Sequence, residues 1–474
     1  MTEETPRAKG VKVAVLTAGA MGLLSMVAFA PAHRAQKITL SVGGWPSKTN
    51  KSGWMSNQTY LKTFEKLYPN VTIKPDSLSW WSGTGAASFY AAAAAGQLPN
   101  VNTVPFTDPK RMITEGYAIP ITAELKQAGW LKYLNPAYLR LTSQNGQIYG
   151  VPDGAYTMGL FVNIHLFKQA GLWKNGLPEI PQTWAQVERD AVIIKKKTGA
   201  AGFFFPTTDN NGGWQLLDIA WGFGAKIEAR VHGKWQATFD DPGMIKALDY
   251  LKTLRWKDNV LEADILHTVS YAQQLFATNQ VAMYLGTPGY QNSSIEQYHM
   301  PRDNAGMGPI PAGPVGRVAQ MGGQVVMFAP HTTPAQVMAG LHWLAVTGFS
   351  PFATKTALQG FREGILANLK QGAAIGPQNT SVWKNNTPIV RAENKINAHY
   401  TNVTMGYWKG YLAHASQNIR PEPPIDAQEW YATMDGVVQA VLTNPHANVR
   451  ALLAKAQSDF QTSYLNALNQ SPGK

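Results

Sequence analysis

Apolar positions from residue 38 onward alternate first with a period of two and then with a helical period. Ile38, Leu40 and Val42 alternate with Thr39 and Ser41, which predicts a strand ending at Gly43, Gly44 and Trp45. Tyr60, Leu61, Phe64, Leu67 and Tyr68 share a helical face that stops at Pro69 and Asn70. Val71 to Lys74 reads as strand, Ala86 to Ala95 as helix stopped by Gly96, and Val101 to Pro105 as a third strand leading into Phe106, Thr107 and Asp108. That order predicts a parallel sheet with right-handed crossovers. Ligands gather outside the carboxyl ends of such strands. The loops placed there run from Gly43 to Trp54, from Ser79 to Gly85 and from Phe106 to Asp108, and the first two carry glycine together with Trp45, Trp80 and Trp81.

A different pattern occupies Gly146 to Leu172. Ile148 to Val151 is a short strand closed by Pro152, and Gly154 is expected to break it. Gly159 to Asn163 is a second apolar run, passing directly into the helical pattern Leu166, Phe167, Ala170 before Gly171. Two strands joined without a hairpin turn can carry the chain from one lobe to another, with Gly and Pro absorbing a hinge rotation.

Thr183 to Gly199 is a marked helix, with Thr183 and Gln186 at capping-box spacing and Lys195 to Lys197 in the last turn. Phe203 to Phe205 reads as a buried strand, followed by a loop from Asp209 to Trp214 that joins Asn210 and Asn211 to an aromatic plate and two glycines. Helices follow from Asp241 and from Ser270, then a strand through Val281, Met283 and Leu285. Residues 301–323 read as loop, with Pro309, Pro311 and Pro314 among glycines. Gln324 to Ala329 is a strand, Thr333 and Pro334 open a helix, and 350–425 is weakly patterned apart from a rigid crossing from Arg420 to Pro424. Two helices, about 427–443 and 447–468, close the chain.

Composition narrows the function. Of 474 residues 45% are hydrophobic and only 15% charged, with Trp 15, Tyr 18 and Phe 17; most of these aromatics belong in a core, but Trp beside Gly or Asn in a loop is less easily explained that way. Cysteine is absent, so disulfides, thiolate chemistry and a lipid-modified Cys are excluded. The formal charge of +12 is spread along the chain rather than striped on one helix, which argues against nucleic acid. So few carboxylates suit an acidic exterior. Arg7, Lys9 and Lys12 precede an uncharged apolar segment, Val13 to Ala32, read as an export signal cleaved after Ala32 or as a retained membrane anchor.

Catalytic signatures are missing. No HExxH, Gly-x-Ser-x-Gly elbow, P-loop or metal-ligand spacing occurs, and Gly83, Thr84 and Gly85 are half a dinucleotide fingerprint. Asp240 and Asp241 point apart along the chain, and Asp241 is explained as a helix cap.

Six stretches taken together carry a resemblance: YLKTFEKLYPNVTI, AAAAAGQLPNV, YGVP to PQTW, FATNQVAMYLGTPGY, MGGQVV and EWYATMDGVVQAVL. In this order they resemble the extracellular solute-binding proteins of ABC importers, in the large sugar-carrying family, maltose-binding type. The step Val162 to Phe167 keeps the shape, not the letters, of that family's Tyr-Asn-Lys-Asp-Leu-Phe motif. The resemblance implies two doubly wound α/β lobes joined by hinge strands, a type II periplasmic binding protein of Venus-flytrap design. One lobe would hold 33–152 and about 322–385, the other 153–321 and about 386–474.

It implies a ligand site as well. Asp108 matches the carboxylate after the third strand, Tyr156 a contact four residues past the YGVP proline, and Trp430 the stacking tryptophan of the penultimate helix. Tyr290 and Trp214 fall near aromatic contact positions, and the loop reading adds Trp45, Trp81 and Asn211. The expected ligand is a sugar or oligosaccharide, and the expected partners are ABC transporter membrane subunits. The chain is expected to act as an extracytoplasmic monomer without cofactor, metal or nucleic acid. A polyol, glycerol phosphate ester or peptide ligand is the alternative within this class; a secreted carbohydrate-active enzyme and a sensory receptor lie outside it.

Overall fold

The computed structural model describes residues 37–81, 85–378 and 380–470. The expected export signal or anchor lies outside these residues. Among the described residues no helix is long and apolar enough to cross a membrane.

Two separate hydrophobic cores form. The first draws on residues 40–155 and 321–390, the second on 158–319 and 407–465. The strand Ile38–Val42 pairs in parallel with Val71–Pro75 and with Val101–Pro105, as the alternation predicts, and Leu40 and Val104 are fully buried. The strand Ala319–Phe328 then adds antiparallel to Val101–Pro105 and makes the sheet mixed. Ile419–Pro421 borders it in parallel on the far edge.

The passage between cores is longer than its sequence suggests. Gly154, at φ +81, does not break the strand, which runs continuously through Gly150–Thr157 against Met321 to Met327. Between Gly323 and Val325 the register shifts so that Asp153 and Gly154 together oppose Gln324; the extra residue lies on the Gly150–Thr157 strand, and bulges re-aim side chains beside sites. Immediately after Met158, Gly159–Asn163 enters the second core between Met283–Gly286 and Ala305–Pro309, antiparallel to both.

Ala305–Pro309 corrects the loop expected there. Its glycines are packing residues: a side chain at Gly308 would meet Ile180, and one at Gly306 would meet Ile164 and Tyr407. Phe203 to Phe205 is buried as expected but joins its neighbours through isolated bridges, Ala201 with Val281 and Phe203 with Leu261. The weakly patterned region contains helices Lys355–Lys370 and Pro388–Tyr400, and Ile389 and Val390 of the latter belong to the first core.

Candidate ligand crevice

A cavity of about 540 Å³ opens between the two cores. Trp80, packed on the first core, faces Tyr156, Trp214, Tyr290 and Tyr431 from the second, and Trp81 stands at the rim, 51% exposed. The rings of Tyr156 and Trp214 meet edge to face at 6.2 Å, and those of Trp80 and Trp81 at 5.5 Å. Asp209, Asn210, Asn211, Gln324, Glu422 and Gln428 supply polar edges. No Lys, Arg or His lines this cavity among the described residues.

The polar wall is built by local backbone chemistry. Asp209 and Asn210 both have positive φ, a conformation Asx residues tolerate, and they turn the chain into the helix Asn211–Gly222. Asp435 caps that helix, accepting from Asn210 N at 2.8 Å and from Gly213 N at 2.8 Å. Gly212 and Gly213 admit the helix Ala427–Thr443, since a side chain at Gly213 would strike the Tyr431 backbone.

Glu422 sits at the floor, 7% exposed. Its carboxyl accepts from the Tyr431 hydroxyl at 2.9 Å and from Gln320 Nε2 at 3.1 Å, and burial pushes its pKa up to about 7. Asp218, wholly buried nearby, accepts from Gln320 N at 2.8 Å, and burial raises it well above the usual carboxylate range. With its pKa near 7, Glu422 is present in both protonated and ionised forms around neutral pH, so at the cavity floor it can donate to or accept from a hydroxylated ligand.

The residues expected at the site divide. Trp81, Tyr156, Asn211, Trp214 and Tyr290 line the cavity. Asp108 stands behind it: its carboxylate accepts from Trp80 Nε1 at 2.9 Å and from the hydroxyls of Tyr90 and Thr107, so it fixes the indole that does line the cavity. Burial raises the Asp108 pKa, against those three donors and Arg111.

Trp45 and Trp430 are elsewhere. Trp45 is buried in the first core, stacked on Trp343 at 5.5 Å. Trp430 is fully buried in the second core against Phe239 at 6.0 Å; its helix neighbour Tyr431 faces the cavity instead. One residue along a helix turns the side chain by about 100°, enough to exchange core for cavity. Tyr431, Gln324 and Glu422 were missed, and Trp80 was placed in a ligand loop without being named to the site. The tryptophan pair and the Arg420 to Pro424 crossing were the signals available for two of them.

The sequence model of the bacterial extracellular solute-binding proteins matches residues 45–348, more than half of the chain. The chain belongs to that family. A relative in Brucella abortus (strain 2308), whose name says no more than a binding protein, is 24% identical over 330 residues, covering 66% of this chain and 72% of its own.

Other solute-binding proteins share the fold. The GacH receptor of Streptomyces glaucescens, solved unliganded and with acarbose, superposes with TM-score 0.63 at 20% identity over 90% of this chain and 98% of its own. Maltose-bound MalE3 of T. maritima gives 0.64 at 19% over 90% and 100%. UgpB of Mycobacterium tuberculosis, in complex with glycerophosphocholine, gives 0.63 at 16% over 90% and 98%. The two-lobed type II binding-protein fold is therefore this chain's fold, as its family membership requires.

Proposed function

We propose that this solute-binding protein captures a neutral sugar or oligosaccharide in the crevice between its lobes and delivers it to an ABC importer outside the cytoplasm. The carrying observation is the cavity wall itself: aromatic rings from both cores, polar edges and, among the described residues, no basic side chain. Pyranose rings present flat C–H faces that lie on Trp or Tyr, and their hydroxyls need oriented donors and acceptors. Trp81, Tyr156, Asn211, Trp214 and Tyr290 would touch ligand, with Trp80, Gln324, Glu422 and Tyr431 added and Asp108 as a positioning residue.

A few stacks and shared hydrogen bonds suffice for micromolar affinity, about −8 kcal/mol. Contacts from both lobes stabilise a closed form, and the importer's membrane subunits select it. Bound sugar leaves chemically unchanged. GacH and MalE3 were solved with saccharides, in line with this reading. UgpB was solved with a phosphodiester, but a wall without cations among the described residues disfavours a phosphate in this crevice.

A thermal-shift screen against mono-, di- and trisaccharides tests the proposal, because a ligand of the native state alone raises the melting temperature. A raised melting temperature with one or more saccharides, lost in Trp214→Ala, is expected. Stabilisation only by non-carbohydrate solutes would refute it.

A further inference from the structure

A second and larger cavity, about 750 Å³, lies between the lobes. It shares only Glu422 with the aromatic crevice among the described lining residues. Its chemistry is opposite. Lys110 and Arg140 enter from the segments following the third strand, Lys226 from the second lobe, and Arg420 from the crossing to Pro424. None of these four forms an ion pair among the described residues.

Two of the cations are held in place. Lys110 Nζ donates to Gln144 Oε1 at 2.7 Å, and the Arg420 guanidinium lies 4.9 Å from the Trp221 ring centre. The acids in the wall do not neutralise them. Glu228 accepts from Ile425 N at 3.1 Å and burial pushes it to about 8, while Glu422 is engaged by Tyr431 and Gln320. Burial and the Arg230 charge both lower the Lys110 pKa, the signature of a cation lacking its counter-charge. Phe106, Ile113, Trp221 and Val315 make the rest of the wall apolar, leaving room for an organic body beside a charged head.

We infer that this cavity is a second ligand site, for a small molecule bearing a phosphate group, held by Lys110, Arg140, Lys226 and Arg420. Guanidinium and ammonium donors from both lobes suit a tetrahedral oxyanion, and charge-assisted bonds are the strong ones. An anion there would also screen the like charges that face each other across the lobes and so favour their approach.

Calorimetry of the full chain with inorganic phosphate, glucose 6-phosphate and glucose, at matched ionic strength, tests this. In Trp214→Ala, where the aromatic crevice is impaired, a phosphate-bearing probe is expected to bind at least tenfold more tightly than glucose. The Lys110→Gln/Arg420→Gln double variant should weaken that binding at least tenfold without lowering the melting temperature of the unliganded protein, and Lys226→Gln, on an exposed side chain, should weaken it in the same direction. Trp214→Ala should leave it intact. The ester binding more tightly than inorganic phosphate identifies a phosphate ester as the ligand class, and equal affinity identifies the free ion. Neither probe exceeding glucose in Trp214→Ala, or binding unchanged in the double variant and in Lys226→Gln, overturns the inference.

Discussion

Tyr156 and Gly322 are cross-strand partners at the point where the chain passes between the cores, and the phenol of Tyr156 occupies the space a side chain at Gly322 would need. The glycine is therefore part of the crevice, although it contributes no atom to recognise a ligand. Gly322→Ala should displace the Tyr156 ring, destabilise the fold by about 1–3 kcal/mol, and weaken ligand binding. Chemical denaturation and calorimetry on the same variant check both; unchanged affinity with lowered stability would separate the strand from the site.

Adjacent aromatics on one helix should respond differently to truncation. Trp430→Ala empties a fully buried site and is expected to cost about 3–5 kcal/mol of stability. Tyr431→Phe removes only the hydroxyl that Glu422 accepts from, and should alter ligand affinity with a smaller loss of stability. Urea midpoints for the two variants, beside their sugar affinities, provide the comparison.

Asp108 acts through Trp80. Asp108→Ala leaves the indole N–H and the Tyr90 hydroxyl without their acceptor, at about 1–3 kcal/mol for each group left unpaired. Sugar affinity should fall, and Asp108→Asn, which keeps an acceptor oxygen, should restore part of it. Equal affinity in the alanine variant and the parent would dissociate Asp108 from the crevice.

Stability should decline from mildly acidic to mildly basic pH. Burial raises Glu422 to about 7, Asp153 to about 6 and Glu228 to about 8 in the folded protein. An unfolded Glu titrates near ~4.3. Between those values the folded chain binds more protons, so the stability contribution is complete below the unfolded pKa and is lost as pH rises through the folded one. For Glu422 the slope is at most about 1.4 kcal/mol per pH unit. The melting temperature should be higher at pH 5 than at pH 8, with a shallower dependence in Glu422→Gln. A melting temperature that climbs over that interval would contradict it.

Much of this architecture is written in local pattern. Ile38, Leu40 and Val42 can bury one face only as a strand, and Gly171 and Gly199 end their helices with the positive φ that glycine supplies without penalty. Family membership too is carried by the sequence itself, over residues 45–348.

What the sequence alone determined, then, was the order of most strands and helices, the first three strands' parallel pairing, and the segments that bring Trp81, Asn211 and Trp214 to the crevice, although Asn211 and Trp214 sit on the helix Asn211–Gly222 and not on the loop expected there. Tertiary structure decided which aromatics meet solvent and which meet core: Trp45 went to Trp343 and Trp430 to Phe239, while Tyr431 turned to the cavity. It also decided that the glycine-laden Ala305–Pro309 is a strand and that Glu422 is buried beside Tyr431. The reason is physical. Periodicity records which side of an element is apolar, but a wall shared by two lobes is apolar toward both core and ligand, and only the packing of segments hundreds of residues apart tells one from the other.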